Sequence, residues 1–274
     1  MRIVKSSQGI LFATGGMLSG PNPMFDPLTQ DPDIFAMWEP YRQSTLDGSL
    51  GVISMAGQVG SEGLLQQTSS SNRPLFVPSV LNNKALIQFT GANSHYLFSD
   101  QPASTWKFLH DGSDYTFYIL FYIGEANPGS RQGLICTAGS TSDIGIRVIY
   151  DDINFNNGGN VKIFNGITSD LTLDTVSEDL PTQTWQVLCG KEDSSLMSQD
   201  YSLYIDTVLK GSDTNLLGAS SSNPTDTLAI GYRINGSPAY YLTGSIASII
   251  ISKAAHNSVM IDNYQTYFQG RFGI

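Results

Sequence analysis

Charge is scarce in this sequence. Only 14% of its 274 residues are Asp, Glu, Lys or Arg, against roughly 25% in an average soluble protein. Basic side chains are the rarer kind: 14 Lys and Arg stand against 24 Asp and Glu, a formal net charge of −10. No basic cluster occurs, and an acidic surface repels phosphate backbones, which excludes nucleic acid as a partner. Glutamate is rarer still, with residues only at 39, 62, 125, 178 and 192. Glu178 and Asp179 are neighbours, which on a strand would point to opposite faces. The 3 histidines, His95, His110 and His256, are scattered. His95 could meet Asp100 or Asp111 in space, but the spacing does not require it. No zincin pattern, nucleophile elbow or phosphate loop is present, so no catalytic residue is nominated and an enzyme is not expected.

Cysteine is nearly absent. Cys136 and Cys189 each sit in an apolar, strand-like run. Two readings stay open: a disulfide between adjacent strands, or two buried thiols acting as small hydrophobes. The first twenty residues lack a continuous apolar stretch and a small-x-small cleavage site, so no removed leader is expected. No run approaches the length of a membrane-spanning helix.

What the sequence has in quantity is small polar residues, glycine and short apolar runs. Hydrophobic residues make up 41%, enough for a sizeable core, and Asp outnumbers Glu, as suits a turn-rich β protein. Residues 1–35 carry Gly15-Gly16, Gly20-Pro21, Pro23, Pro27 and Pro32 without periodicity, which predicts an arm or irregular lead-in. Residues 38–78 read as loop-rich. Strands are predicted at 85–90, 115–123, 133–138, 144–150, 161–165, 184–190, 201–205, 227–232 and 242–251. In the run Tyr115–Ile123, Phe117, Ile119, Phe121 and Ile123 fall on one face and Tyr118, Leu120 and Tyr122 on the other. Both faces are apolar or aromatic, so this strand should be central. Met260, Tyr264, Tyr267 and Phe268 form a helical stripe. Asn257 is placed as N-cap, His256 and Ile261 as a hydrophobic staple, and Gly270 as the end. Many short strands without strand–helix alternation predict a single all-β, antiparallel sandwich over residues 36–274 with one short C-terminal helix.

The order of features in that span resembles the laminin-G-like, concanavalin-A-like jelly-roll superfamily of phage and bacterial proteins. The matching pieces are Ala85–Gly91 through Tyr96-Leu97, the Trp strand Thr184–Leu188, Leu203–Asp206, Leu228–Gly231, Gly244–Ile251, and the aromatic tail from Tyr264 to Phe272-Gly273-Ile274. Trp38 and Arg73-Pro74 also match. Where many relatives carry acidic residues and an Arg on the penultimate strand, this chain has Ser245, Ala247, Ser248 and Ile250. Ala247, Ile249 and Ile251 are expected on one face of that strand and Ile246 and Ile250 on the other. Its second apolar face must then be covered by the terminal helix, the N-terminal arm or another subunit, and Ile246 and Ile250 become candidate interface residues. Met260 stands where the usual Glu would complete a capping box.

The resemblance implies three functions. Glycosidases of this fold carry a Glu-x-Asp-x-x-Glu cluster, which this chain lacks. Many relatives resemble calcium-assisted binders, so Asp151, Asp152, Asn154 and Asn156 are candidate calcium ligands, against the plainer reading of an Asn-Gly hairpin turn at Asn157-Gly158. For sugars, Tyr118, Tyr122, Tyr240 and Tyr241 are the candidate aromatic platform. The resemblance implies a non-enzymatic virion structural or attachment protein (capsid decoration, tail or fibre component), assembled with itself or other virion proteins and able to meet a host-surface glycan, and the doubly apolar strand, low charge and arm suit that reading. The alternative is a secreted or surface carbohydrate-binding lectin, extracellular rather than in a virion.

Overall fold

The computed structural model describes residues 25–60, 62–125, 131–139, 143–151, 160–166, 173–174, 181–196, 200–213, 220–233 and 240–274. The chain opens with helix α1 (Pro27–Gln30), β1 (Ile34–Trp38), α2 (Pro40–Gln43), β2 (Ser44–Leu46), β3 (Val52–Ala56), β4 (Leu64–Gln66), β5 (Leu75–Leu81), β6 (Lys84–Phe89) and β7 (Leu97–Ser99). The middle contributes β8 (Tyr115–Ile123), β9 (Gln132–Cys136), β10 (Gly145–Asp151), β11 (Asn160–Gly166), β12 (Leu173–Asp174), β13 (Trp185–Glu192), β14 (Tyr201–Ile205) and β15 (Val208–Asp213). Then come β16 (Ala229–Ile230), β17 (Tyr232–Arg233), β18 (Tyr240–Tyr241), β19 (Gly244–Ser252) and α3 (Ser258–Phe272).

Two antiparallel sheets form the sandwich. The front sheet runs β15-β14-β13-β8-β19-β6-β5, with β1 also paired to β19. The back sheet runs β12-β11-β10-β9-β16-β7-β4-β3-β2. The all-β sandwich with one closing helix is therefore the architecture, and β8 is central, flanked by β13 and β19. Its two faces serve two cores. Phe117, Ile119, Phe121 and Ile123 point between the sheets, where they meet Trp38, Trp106 and Leu134. Tyr118 and Leu120 point outward, under α3.

Four differences from the sequence expectation have local causes. The loop-rich stretch 38–78 holds β2 to β5; strands of 3 residues such as β2 and β4 are too short to show an alternation. The strand expected at 227–232 is broken at Gly231, which has φ +76 and whose added Cβ would lie 2.4 Å from the Phe89 ring; only glycine tolerates that turn. Helix α3 runs through Gly270 and ends at Phe272, with Gly273 in the left-handed conformation as its cap. At its start Asn257 accepts the Met260 N–H at 3.0 Å, so the cap forms without a Glu.

The fourth difference concerns β19. A bulge between Ile246 and Ser248 puts two residues opposite one and flips the alternation. Ile246 consequently joins Ile249 and Ile251 in the inner core, while Ala247 and Ile250 face α3. The candidate interface pair Ile246 and Ile250 is thus split between two internal cores, and both residues are buried within the chain. The face that seemed to need a neighbour is closed by α3 and Phe25, whose ring stands 5.0 Å from that of Tyr264.

Two buried carboxylates fasten α3. Asp31 accepts the Tyr264 hydroxyl at 2.7 Å and lies 3.2 Å from His256 Nε2. Glu39 accepts the Tyr267 hydroxyl at 2.7 Å and is chelated by Arg271, Nε at 3.1 Å and a terminal nitrogen at 3.0 Å. Burial disfavours the ionised form of Asp31, but the hydrogen bonds from His256 and Tyr264 and the charge of His256 outweigh it and hold the carboxyl below its ordinary 3.8. A carboxyl depressed in the fold stabilises above its unfolded value and loses that contribution as pH falls through the folded value. Urea denaturation should therefore show Asp31→Asn less stable than the parent at pH 7, by about 2–3 kcal/mol for the lost charge-assisted bonds. The gap should narrow below about pH 3.8; an equal gap at pH 7 and pH 2.5 would refute the ionised tie.

The β14–β15 hairpin closes with Asp206 at φ +48 and Thr207 at φ +70. A two-residue turn with both residues left-handed favours glycine second, and a β-branched residue there is strained. Thr207→Gly should raise stability by about 0.5–1 kcal/mol in the same denaturation assay, and a loss would contradict the turn assignment.

Candidate functional site

Helix α3 covers the outward residues of β8 only as far as Leu120. The next outward residue is Tyr122, and it stays partly open. Strand register lines up one residue from each of four other strands with it. Tyr122 sits opposite Trp185 of β13 on one side and Ser245 of β19 on the other; Ser245 faces Gln88 of β6, and Gln88 faces Leu75 of β5. Neighbouring strands put their opposed Cα atoms about 4.5–5.5 Å apart, so this row is about 20 Å long. Along it lies an open groove of about 310 Å³.

The groove has an aromatic end, a polar floor and an aliphatic wall. The Tyr122 and Trp185 rings lie 5.4 Å apart at an interplanar angle of 37°. Gln88 is exposed, and Ser245 is 7% exposed in the floor. Val77, Val80 and Leu86 make the wall. Val80 keeps 48% of its surface in water and Leu75 38%, an apolar exposure that continues the groove. The wall strand β5 is a sheet edge blunted by Pro78, by Ser79 at φ +56 and by a register break between Val77 and Leu81. Those features stop another strand from adding there. Gly244 lets β19 approach closely enough to place Ser245, since a Cβ on it would sit 2.1 Å from the Tyr122 carbonyl.

The tyrosines nominated from the sequence separate into three places. Tyr118 is 1% exposed, stacked 4.1 Å from the Tyr264 ring and hydrogen-bonded to His256 Nδ1 at 2.9 Å. Burial pushes its phenol pKa up. It offers no ring to a ligand, because α3 lies on it. Tyr122 is in the groove. Tyr241 stacks 4.6 Å from Tyr232, and Tyr240 lies under Arg131 at 5.9 Å, in the small β17–β18 ribbon. Trp185, Gln88 and Ser245 were not nominated. Trp185 stood in the Trp-strand motif, and only the pairing register shows that it belongs beside Tyr122.

Of the candidate calcium ligands, Asp151 is buried and held by Arg131 at 2.9 Å and Lys162 at 3.4 Å. Asp152, Asn154 and Asn156 lie outside the described residues. The flanking strands β10 and β11 pair antiparallel with Asp151 opposite Asn160. Among the described residues no three His, Cys, Asp or Glu side chains gather as a metal site. No helix of the described residues is long and apolar enough to cross a membrane. Cys136 and Cys189 form no disulfide and stand in different sheets, both buried. His95 Nδ1 accepts the Thr90 N–H at 3.2 Å, and burial lowers its pKa. Asp100 instead accepts the Leu64 N–H at 2.8 Å. His110 Nε2 lies 3.0 Å from the Ser222 carbonyl.

No protein-family model matches the chain, and no curated protein does. Solved structures do match. Domain 4 of AbnA, an extracellular arabinanase of Geobacillus stearothermophilus solved with arabinotriose, has a TM-score of 0.55 at 13% identity, over 85% of this chain and 99% of that one. A Trypanosoma rangeli sialidase in complex with sialic acid has a TM-score of 0.52 at 12% identity, over 88% of this chain. The binding domain of botulinum neurotoxin DC, solved with SialylT, has 0.51 at 10% identity, over 87% of this chain and 52% of that one. The present chain spans 33% of the sialidase's length. At these identities the likeness is one of fold.

The groove's openness has a direct optical consequence. Trp38 and Trp106 are 0% exposed, and Trp185 is the partly open indole. Acrylamide should quench one component of the tryptophan emission, and Trp185→Phe should remove that component. Quenching unchanged in the variant would show that the groove is shut. The fold this chain shares with the arabinanase domain, the sialidase and the toxin binding domain is an antiparallel β-sandwich.

Proposed function

We propose that this chain is a non-catalytic carbohydrate-binding module, laminin-G-like in superfamily, that works outside the cell or on a surface and holds a glycan in the groove beside Tyr122 and Trp185. The observation that carries the reading is the groove's composition. Two rings form an apolar bed, while the Gln88 amide and Ser245 hydroxyl supply donors and acceptors beside it. A sugar presents C–H groups on its faces and hydroxyls around its rim, and a concave site of mostly apolar lining with a few placed polar groups suits it. The domain 4 and toxin structures were solved with arabinotriose and SialylT, which supports the class of ligand.

Among the described residues the lining includes no carboxylate, and glycoside hydrolysis needs two, an acid and a nucleophile or base, which supports a binding rather than a hydrolytic role. Glu39 is committed to Tyr267 and Arg271, and Glu62 Oε1 to the Met37 and Val59 N–H groups. The virion reading drew on a doubly apolar β19 in need of a neighbour. That face is packed against α3 of the same chain, so the lectin reading takes precedence.

Sedimentation with insoluble polysaccharides and a glycan array test the proposal. Binding should weaken about tenfold or more in Trp185→Ala and Tyr122→Ala, as expected for aromatic anchors, and should persist in Tyr240→Ala. Binding that survives both groove variants would reject the site, and no binding to any glycan would reject the function.

A further inference from the structure

We infer that the groove takes a short, uncharged stretch of glycan and rejects sialylated and other acidic glycans, an inference that rests on the carbohydrate-binding reading. The groove's polar groups are the Gln88 amide, the Ser245 hydroxyl and the Tyr122 phenol, and the rest of its lining is aromatic or aliphatic. Among the described residues no Lys, Arg or His lines it. The cation on the same face of β6, Lys84, is four residues from Gln88, about 13 Å along a strand, and its ammonium is placed over the Tyr41 ring at 5.2 Å. At the Trp185 end the turn carries a carboxylate, Asp206, which accepts the Val187 N–H at 2.9 Å and is the charge that Lys210 faces.

A glycan carboxylate entering this groove would lose water and meet no counter-ion. Burying an anion without a partner is costly, and the chain's net charge of −10 adds repulsion at longer range. A neutral sugar incurs neither penalty. Its hydroxyls can exchange hydrogen bonds with Gln88, which offers both donor and acceptor, and with Ser245. The groove's volume of about 310 Å³ lies at the small end of the roughly 300–1,000 Å³ range of ligand pockets, which suits a short stretch. With no carboxylate among the described lining residues, calcium would find there none of the charged oxygens it prefers, so recognition should not need it. The structures of the same fold solved with sialic acid and with SialylT therefore do not foretell this chain's ligand.

The test is an array of neutral glycans paired with their sialylated counterparts, probed with the full chain, Trp185→Ala, Tyr122→Ala and Gln88→Arg, with and without EDTA. The expected result is binding to a neutral glycan that EDTA leaves unchanged and either aromatic variant abolishes. The sialylated counterpart should bind about tenfold more weakly or worse, a difference of about 1.4 kcal/mol or more. Gln88→Arg, at an exposed position, should recover much of that deficit by supplying a counter-ion. Sialylated glycans bound equally well or better, and lost in Trp185→Ala or Tyr122→Ala, would overturn the charge argument while leaving carbohydrate binding intact. So would binding abolished by EDTA, or a Gln88→Arg variant without gain for acidic glycans. Binding to no glycan, or binding untouched by both aromatic variants, would instead overturn the carbohydrate-binding reading.

Discussion

The structure depends on the packing of α3 against the outer face of the β8–β19 strand pair. Both strands are apolar on both sides, so two layers of sheet cannot satisfy them. The stack of Tyr118 on Tyr264, at 4.1 Å, sits at the middle of this third layer. Asp31 and Glu39, from the segment leading into and out of β1, bind tyrosines on α3 at its two halves. Removing either carboxylate would take an acceptor from buried phenols, and in one case from a guanidinium, and unsatisfied buried groups cost more than the bonds themselves contribute. The tie also joins the first described residues of the chain to its last helix.

The length of that helix decides where the molecule can bind anything. It shields the rows of Tyr118 and Leu120 and stops before the row of Tyr122. A row that would otherwise be core is left half-wet, with its large rings already positioned by strand pairing. The groove is thus a continuation of the second core beyond its cover, which is why its walls are apolar and its floor carries only small polar groups. Rings held by sheet register lose little freedom on meeting a ligand, and rigid anchors of this kind are effective in binding.

Much of the fold was legible from the sequence because the strongest strands have unambiguous period-2 patterns. Strands β8 and β14 appear at the expected residues, and β9, β10, β11, β13 and β19 within a few positions. The helix was legible from its stripe and from Asn257. What stayed hidden is non-local. A bulge at Ile246–Ser248 leaves no mark in an apolar run, yet it reverses the faces of Ile246 and Ala247. Four nominated tyrosines looked equivalent, and only the placement of α3 separates buried Tyr118 from open Tyr122. Leu75, Gln88, Ser245 and Trp185 are scattered from position 75 to position 245 and become neighbours through the register of five strands. No spacing rule within the chain reveals that.

The central claim is that the uncovered row beside α3 is a binding surface for neutral carbohydrate. A crystal structure of the chain soaked with the neutral oligosaccharide that binds it best tests this most directly. A sugar ring should lie on Trp185 and Tyr122 with its hydroxyls bonded to Gln88 and Ser245. A sugar seated on the Tyr240–Tyr241 ribbon or in the loops of the back sheet, with the groove empty, would contradict it.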